Sequence, residues 1–223
     1  MAASVAYPEV ANTHPQWWRD GRHGGGNDRG WRAWAWSESR GESPRGPGLT
    51  GEAVSGGLVY LIRHAEAGDK RSWRGPDTAR PLTELGWRQA GGLTRQLLPY
   101  PVSRILSSPA RRCEQTMRPL AQQRDVPVEL TEALAVDGGV DGLLQVLGAP
   151  ELQAAALCTH GELIGQAVTR LLAAGMRVAG LDGGRGEPRW AKGSIWVLER
   201  AGAARRGEYL EPLALPLAMS WAC

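Results

Sequence analysis

The run Leu58-Val59-Tyr60-Leu61-Ile62-Arg63-His64-Ala65-Glu66-Ala67-Gly68 decides how the rest of the chain is read. Its first five residues are apolar without interruption, a short run of the buried-strand type. It stops abruptly at Arg63-His64, which puts a guanidinium and an imidazole where the strand ends.

Strand-like and helix-like segments alternate after this run, as in a mostly parallel sheet with helices on both faces. Thr83 can cap a helix reaching about Leu98, in which Leu85, Gln89, Leu93 and Leu97 repeat at fourfold spacing before Pro99. Arg104-Ile105-Leu106-Ser107-Ser108 reads as a second strand. Pro109 then stands in the first turn of a helix striped by Cys113, Thr116, Met117, Leu120 and Ala121. Pro127 to Leu130 is expected as a short strand, Gly142 to Leu147 as a short helix and Ala154 to Cys158 as a buried strand. The helix that follows carries Ile164, Ala167, Val168, Leu171 and Leu172 at the spacing of a core-facing stripe. Ser194 to Leu198 is a later strand, and Tyr209 to Leu217 another.

Composition changes near residue 55. Residues 1–55 are rich in Gly, Arg, Ser, Pro and Trp, with almost no Ile, Leu or Val, too little aliphatic surface to offset the entropy of ordering. They are expected to be a disordered segment ahead of a domain spanning 56–223. Two other readings stand: Arg and Trp interleaved with Gly can stack on single-stranded nucleic acid, or these residues are translated upstream sequence with the true start near Val54. The formal charge of +3 comes from 26 Lys and Arg against 23 Asp and Glu, an excess too small to identify a partner. No apolar run approaches the ~20 residues that span a bilayer, and no signal-peptide pattern opens the chain, so a cytoplasmic protein without a membrane partner is expected. Cys113, Cys158 and Cys223 show neither a disulfide framework nor zinc-ligand spacing.

Three strand ends carry chemistry: Arg63-His64, then Ser107-Ser108-Pro109 leading to Arg112, then Thr159-His160-Gly161. Open α/β sheets bind ligands beyond the carboxyl ends of their strands, so the three can meet in one crevice. Two arginines offer donor forks matching phosphate oxygens, and a neutral imidazole can attack phosphorus. Helix starts after Ser108 and His160 add backbone N–H groups and a positive dipole end. Each element read alone is bland: an arginine-histidine pair at a strand end, a solvated helical arginine, a plain strand-to-helix turn. Their common placement, with His64 and His160 the only histidines after residue 55, favours a site.

These residues resemble the histidine phosphatase superfamily, also called phosphoglycerate-mutase-like, over about Leu58 to Leu198. The resemblance rests on Arg63-His64-Ala65-Glu66-Ala67-Gly68, Arg80-Pro81-Leu82-Thr83 with Gly86, Ser107 through Thr116, and Cys158-Thr159-His160-Gly161. Within the superfamily the chain is similar to the short branch of SixA-type phosphohistidine phosphatases. It is similar also to the phosphatase domain fused behind a Nudix domain in some actinobacterial proteins, which shares Arg-Cys-Glu-Gln-Thr and Lys192-Gly193-Ser194; no Nudix box occurs here.

The resemblance implies a three-layer αβα sandwich and a hydrolase of phosphoric monoesters or phosphoramidates that uses no cofactor and no metal. His64 is the implied nucleophile, with Arg63, Arg112 and His160 holding the phosphoryl oxygens and Gly161 beside them. Glu132, in Leu130-Thr131-Glu132, matches the place of the general acid, with Asp137 or Glu129 as alternatives. Ala65 stands where the family has glycine. Lys70, Arg71, Arg74 and Arg80 could form a basic rim, with Lys70 and Arg80 reaching substrate. The implied partner is a phosphorylated protein or a small phosphorylated metabolite or nucleotide, not a nucleic acid, met in a shallow, open pocket. A non-catalytic phosphate-binding or regulatory module is the competing class, and a phosphoglycerate-mutase-like phosphotransferase the competing enzyme.

Overall fold

A strand with both faces apolar must be covered on both sides, and the first strand, β1 (Leu58–Arg63), is. Val59 and Leu61 pack into one core with Leu157, Leu163, Ile164 and Leu143. Tyr60 and Ile62 face the other way, into a core with Leu93, Leu97, Cys113, Met117 and Leu120. The computed structural model describes residues 57–179, 188–200 and 204–216. The expectations for residues 1–55 and for Cys223 lie outside them.

The remaining strands are β2 (Arg104–Ser107), β3 (Val128–Leu130), β4 (Ala155–Thr159), β5 (Arg177–Val178), β6 (Ile195–Arg200) and β7 (Ala204–Leu210), in the order β3-β2-β4-β1-β6-β7-β5. β3, β2, β4 and β1 run parallel, while β6 and β7 add antiparallel strands beyond β1. Helices α1 (Glu84–Leu97) and α2 (Arg111–Arg124) cover one face; α3 (Gly139–Gly148) and α4 (Gly161–Ala173) cover the other. The result is the expected three-layer αβα sandwich, and β1, β2 and β4 all end on one edge, where the chemistry-bearing residues stand. Among the described residues no helix is long and apolar enough to cross a membrane.

Three local expectations are corrected. The buried face of α1 is Gly86, Trp87, Ala90, Leu93 and Leu97, and Leu85 is 40% exposed. Thr83, as cap, accepts from Gly86 N, and this sets the helix rotation so that Trp87 and not Leu85 points inward. Pro109 precedes α2 instead of lying in its first turn: Ser108 Oγ accepts from Ala110 N, and the cap residue Ala110 is still extended. The last strand is Ala204–Leu210, not Tyr209 to Leu217. It pairs antiparallel with β6 as a hairpin, and from Glu211 the chain leaves the sheet to cross α1, where Leu215 N donates to Arg88 O.

Candidate active site

β1 ends where His64 N donates to Thr159 O of β4, so the two histidine-bearing strand ends are tied together. Gly193 N donates to the carbonyls of Arg63 and His64 from the other side. Arg112 rises from the first turn of α2, whose Gln115 and Thr116 are also spent on this region: Gln115 Oε1 accepts from Leu82 N, and Thr116 Oγ1 accepts from Ala65 N at 3.0 Å. The helix that delivers Arg112 thereby fixes the turn after His64. Ala65, which replaces the family's glycine, is fully buried.

The hydrogen bonds assign the ring protons. His64 Nδ1 lies 2.8 Å from Ala65 O, and a carbonyl only accepts, so Nδ1 carries the proton. Arg112 Nε donates to His64 Nε2 at 3.2 Å, so Nε2 carries the lone pair and spends it on a guanidinium that lines the same cavity. Burial first, and then the charges of Arg112, His160 and Arg63, drive the His64 pKa down to about 3 against the opposing Ala65 bond. The imidazole is therefore neutral at physiological pH. In His160, Nδ1 accepts from Arg112 Nη2 at 3.2 Å, which leaves Nε2–H to donate to Ser108 Oγ at 2.9 Å. Arg112 thus bridges two buried imidazoles whose ring centres are 5.5 Å apart.

Arg63 reaches the same place although its neighbour in the strand is His64. The strand ends there, and the guanidinium folds over the start of α4, where a Cβ on Gly161 would lie 2.6 Å from Arg63 Cζ and Nε. Arg63 Nη1 donates to Trp190 O at 2.6 Å. His160 is the N-cap of α4, so the first-turn N–H groups of that helix and its positive end point toward the site.

A cavity of about 540 Å³ opens above these groups, lined by Arg63, His64, Arg112 and His160 together with Lys70, Asp77, Arg80 and Glu162. Of the four residues expected at its rim, Lys70 and Arg80 line it, while Arg71 and Arg74 are exposed and do not. Arg80 is largely committed elsewhere, donating to Asp77 Oδ1 and to the carbonyls of Ala67 and Gly68.

Glu132 is not brought to the cavity. It opens a 3-10 turn, Glu132–Leu134, capped by Thr131, and is exposed and absent from the lining. Of its alternatives, Glu129 pairs with Arg104 and Asp137 is exposed; neither lines the cavity.

Sequence reasoning missed Asp77. Its Oδ2 lies 3.1 Å from Arg112 Nη2, and its carbonyl accepts from Arg112 Nη1 at 2.6 Å. Burial would raise the Asp77 pKa, but the Arg80 hydrogen bond and the charges of Arg112, Arg80 and Lys70 hold it below the usual carboxylate range. Glu66, also missed, pairs with Lys192 at 2.8 Å. Neither carboxylate sits in a periodic pattern that could have announced it. Among the described residues no group of three or more His, Cys, Asp or Glu could hold a metal ion.

Residues 59–136 match the model of the family described as histidine phosphatase superfamily (branch 1). The 8-oxo-(d)GTP phosphatase of Mycolicibacterium smegmatis is 31% identical over 162 residues, covering 69% of this chain and 48% of that protein. The chain spans about half the length of the curated relatives it matches. Among solved structures, SixA from Nakamurella multipartitia superposes with a TM-score of 0.54 at 27% identity, covering 70% of this chain and 96% of that one. The protein histidine phosphatase SixA complexed with tungstate gives 0.52 at 22% identity, over 70% and 96%, a likeness of fold. The segment 59–136 belongs to the histidine phosphatase superfamily.

Proposed function

We propose that the chain is a metal-independent phosphatase that passes the phosphoryl group through Nε2 of His64. The observation that carries this reading is the orientation of that ring: Nδ1–H is spent on Ala65 O, and the Nε2 lone pair faces Arg112 at the floor of the cavity. The incoming phosphate draws Arg112 Nε–H onto its own oxygens, and the Nε2 lone pair so released attacks phosphorus, forming a P–N bond as the bond to the leaving group breaks; the leaving group keeps the electron pair and takes a proton from water. A second water then attacks phosphorus, the P–N pair returns to Nε2, orthophosphate departs and a proton goes to solvent.

Arg63, Arg112 and the start of α4 neutralise charge on the transferring oxygens. His160 stands beside them, its ring held between Arg112 Nη2 and Ser108 Oγ. The substrate is a phosphohistidine protein or a small phosphoester or nucleotide. The names of the relatives, an 8-oxo-(d)GTP phosphatase and a protein histidine phosphatase, support that range.

Purified protein should release phosphate from at least one member of a panel of phosphohistidine protein, nucleotides and sugar phosphates, with equal rates before and after EDTA. Loss of activity on chelation, restored by a divalent ion, would reject the metal-independent mechanism.

A further inference from the structure

On the outer face of α4 the exposed residues Glu162, Gln166, Thr169 and Arg170 flank the buried Gly165, all spaced as one face of a helix. With Trp190 these residues line a second cavity of about 410 Å³. Glu162 lines both this groove and the phosphate cavity, so the two adjoin at the start of α4. The indole lies flat on the helix: a Cβ at Gly165 would meet Trp190 Cε2, Cη2 and Cζ2 all at 3.2 Å. Glycine lets one face of the ring seat on the backbone, while the side chain stays 37% exposed to the groove.

The platform is built rather than loose. Trp190 O accepts from Arg63, which lines the phosphate cavity. On one side of Trp190, Arg189 stacks over the Tyr209 ring at 4.7 Å, pairs with Glu211, and accepts from Trp196 Nε1 through its carbonyl. On the other side Ala191 N donates to Tyr209 Oη at 3.1 Å. An exposed aromatic face held this firmly beside an anion site is suited to stacking a planar ring. From Gly161 to Gly165 the helix rises about 6 Å, a gap that one pentose spans.

We propose that the groove is a base-binding subsite and that the substrate is a nucleoside phosphate, its phosphate over His64 and its base stacked on Trp190. The subsite rests on the phosphatase reading for the placement of the phosphate. Glu162 and Gln166, at i and i+4 on the same stripe, are placed to meet the hydrogen-bonding edge of the ring.

The test is calorimetric binding to full-length protein carrying His64→Asn, which removes turnover, with AMP and ribose 5-phosphate as probes. AMP should bind about tenfold or more tightly than ribose 5-phosphate, the scale of one base stacked on an aromatic ring. Trp190→Ala added to that protein should erase the difference, and Trp190→Phe, which keeps a stacking face, should restore most of it. Equal affinities, a preference for AMP that survives Trp190→Ala, or no binding of either probe would overturn the subsite. Turnover by the wild-type protein is read separately: hydrolysis without a base preference rejects the subsite alone, and a base preference without hydrolysis rejects the phosphatase reading alone.

Discussion

Substituting Gly161 with alanine separates the fold from the chemistry at one atom. The added Cβ would stand 2.6 Å from Arg63 Cζ and Nε and 3.0 Å from Nη2, well inside van der Waals contact. What it strikes is the far end of a flexible side chain, so the helix stays and the guanidinium moves. Alanine is a better helix former than glycine by about 1 kcal/mol, which offsets much of the disturbance. Stability to urea should therefore change by no more than about 1 kcal/mol. Catalysis should suffer on another scale: displacing one donor from the transferring oxygens costs about 10²–10³ in kcat.

The assay is kcat and urea midpoint for Gly161→Ala, Arg63→Ala and the double variant. Because both single changes remove the same contact, the double variant should be no slower than Arg63→Ala alone. Wild-type kcat in Gly161→Ala, or additive losses in the double variant, would refute the claim that this glycine exists to seat Arg63.

Further expectations concern the other groups around the cavity. Arg112→Ala should lower kcat by about 10²–10³, whereas Asp77→Asn, which removes a negative charge but keeps the carbonyl that holds Arg112, should tighten inhibition by orthophosphate by about two- to fivefold. Glu132→Gln should leave kcat on an alkyl phosphate within about twofold, within the error that ordinary surface changes produce; a large loss would bring Glu132 back as the acid. His64 titrates near its ordinary 6.5 when unfolded and at about 3 when folded, so between those values the unfolded chain binds the extra proton. Its contribution to stability is therefore intact above pH 6.5 and is lost as pH falls toward 3, at up to ~1.4 kcal/mol per pH unit. Urea melts of His64→Gln across that range should show a shallower decline than those of the wild type.

The layers and the meeting of His64, Arg112 and His160 were legible because each rests on a local signal, an apolar run that stops at a polar pair or a helical stripe. The rotation of α1 was not, because fourfold spacing from Leu85 and the true face through Gly86, Ala90, Leu93 and Leu97 share two leucines; the Thr83 cap decides between them. Asp77 lies 35 positions from Arg112 in a loop, and only the folded chain brings its carboxylate to the guanidinium. Trp190 was hidden for the same reason, since its platform depends on a glycine in a distant helix. Glu132 was assigned through the family resemblance alone, and the 3-10 turn after β3 leaves it exposed and off the lining of the cavity.

The central claim, that Nε2 of His64 receives the phosphoryl group, is tested most directly by trapping the intermediate. Protein mixed briefly with a radiolabelled substrate and quenched without acid should carry one acid-labile, alkali-stable label, mapping to His64 as the Nε2 isomer and missing from His64→Ala. Label on Nδ1 or on another residue, or wild-type turnover by His64→Ala, would contradict it.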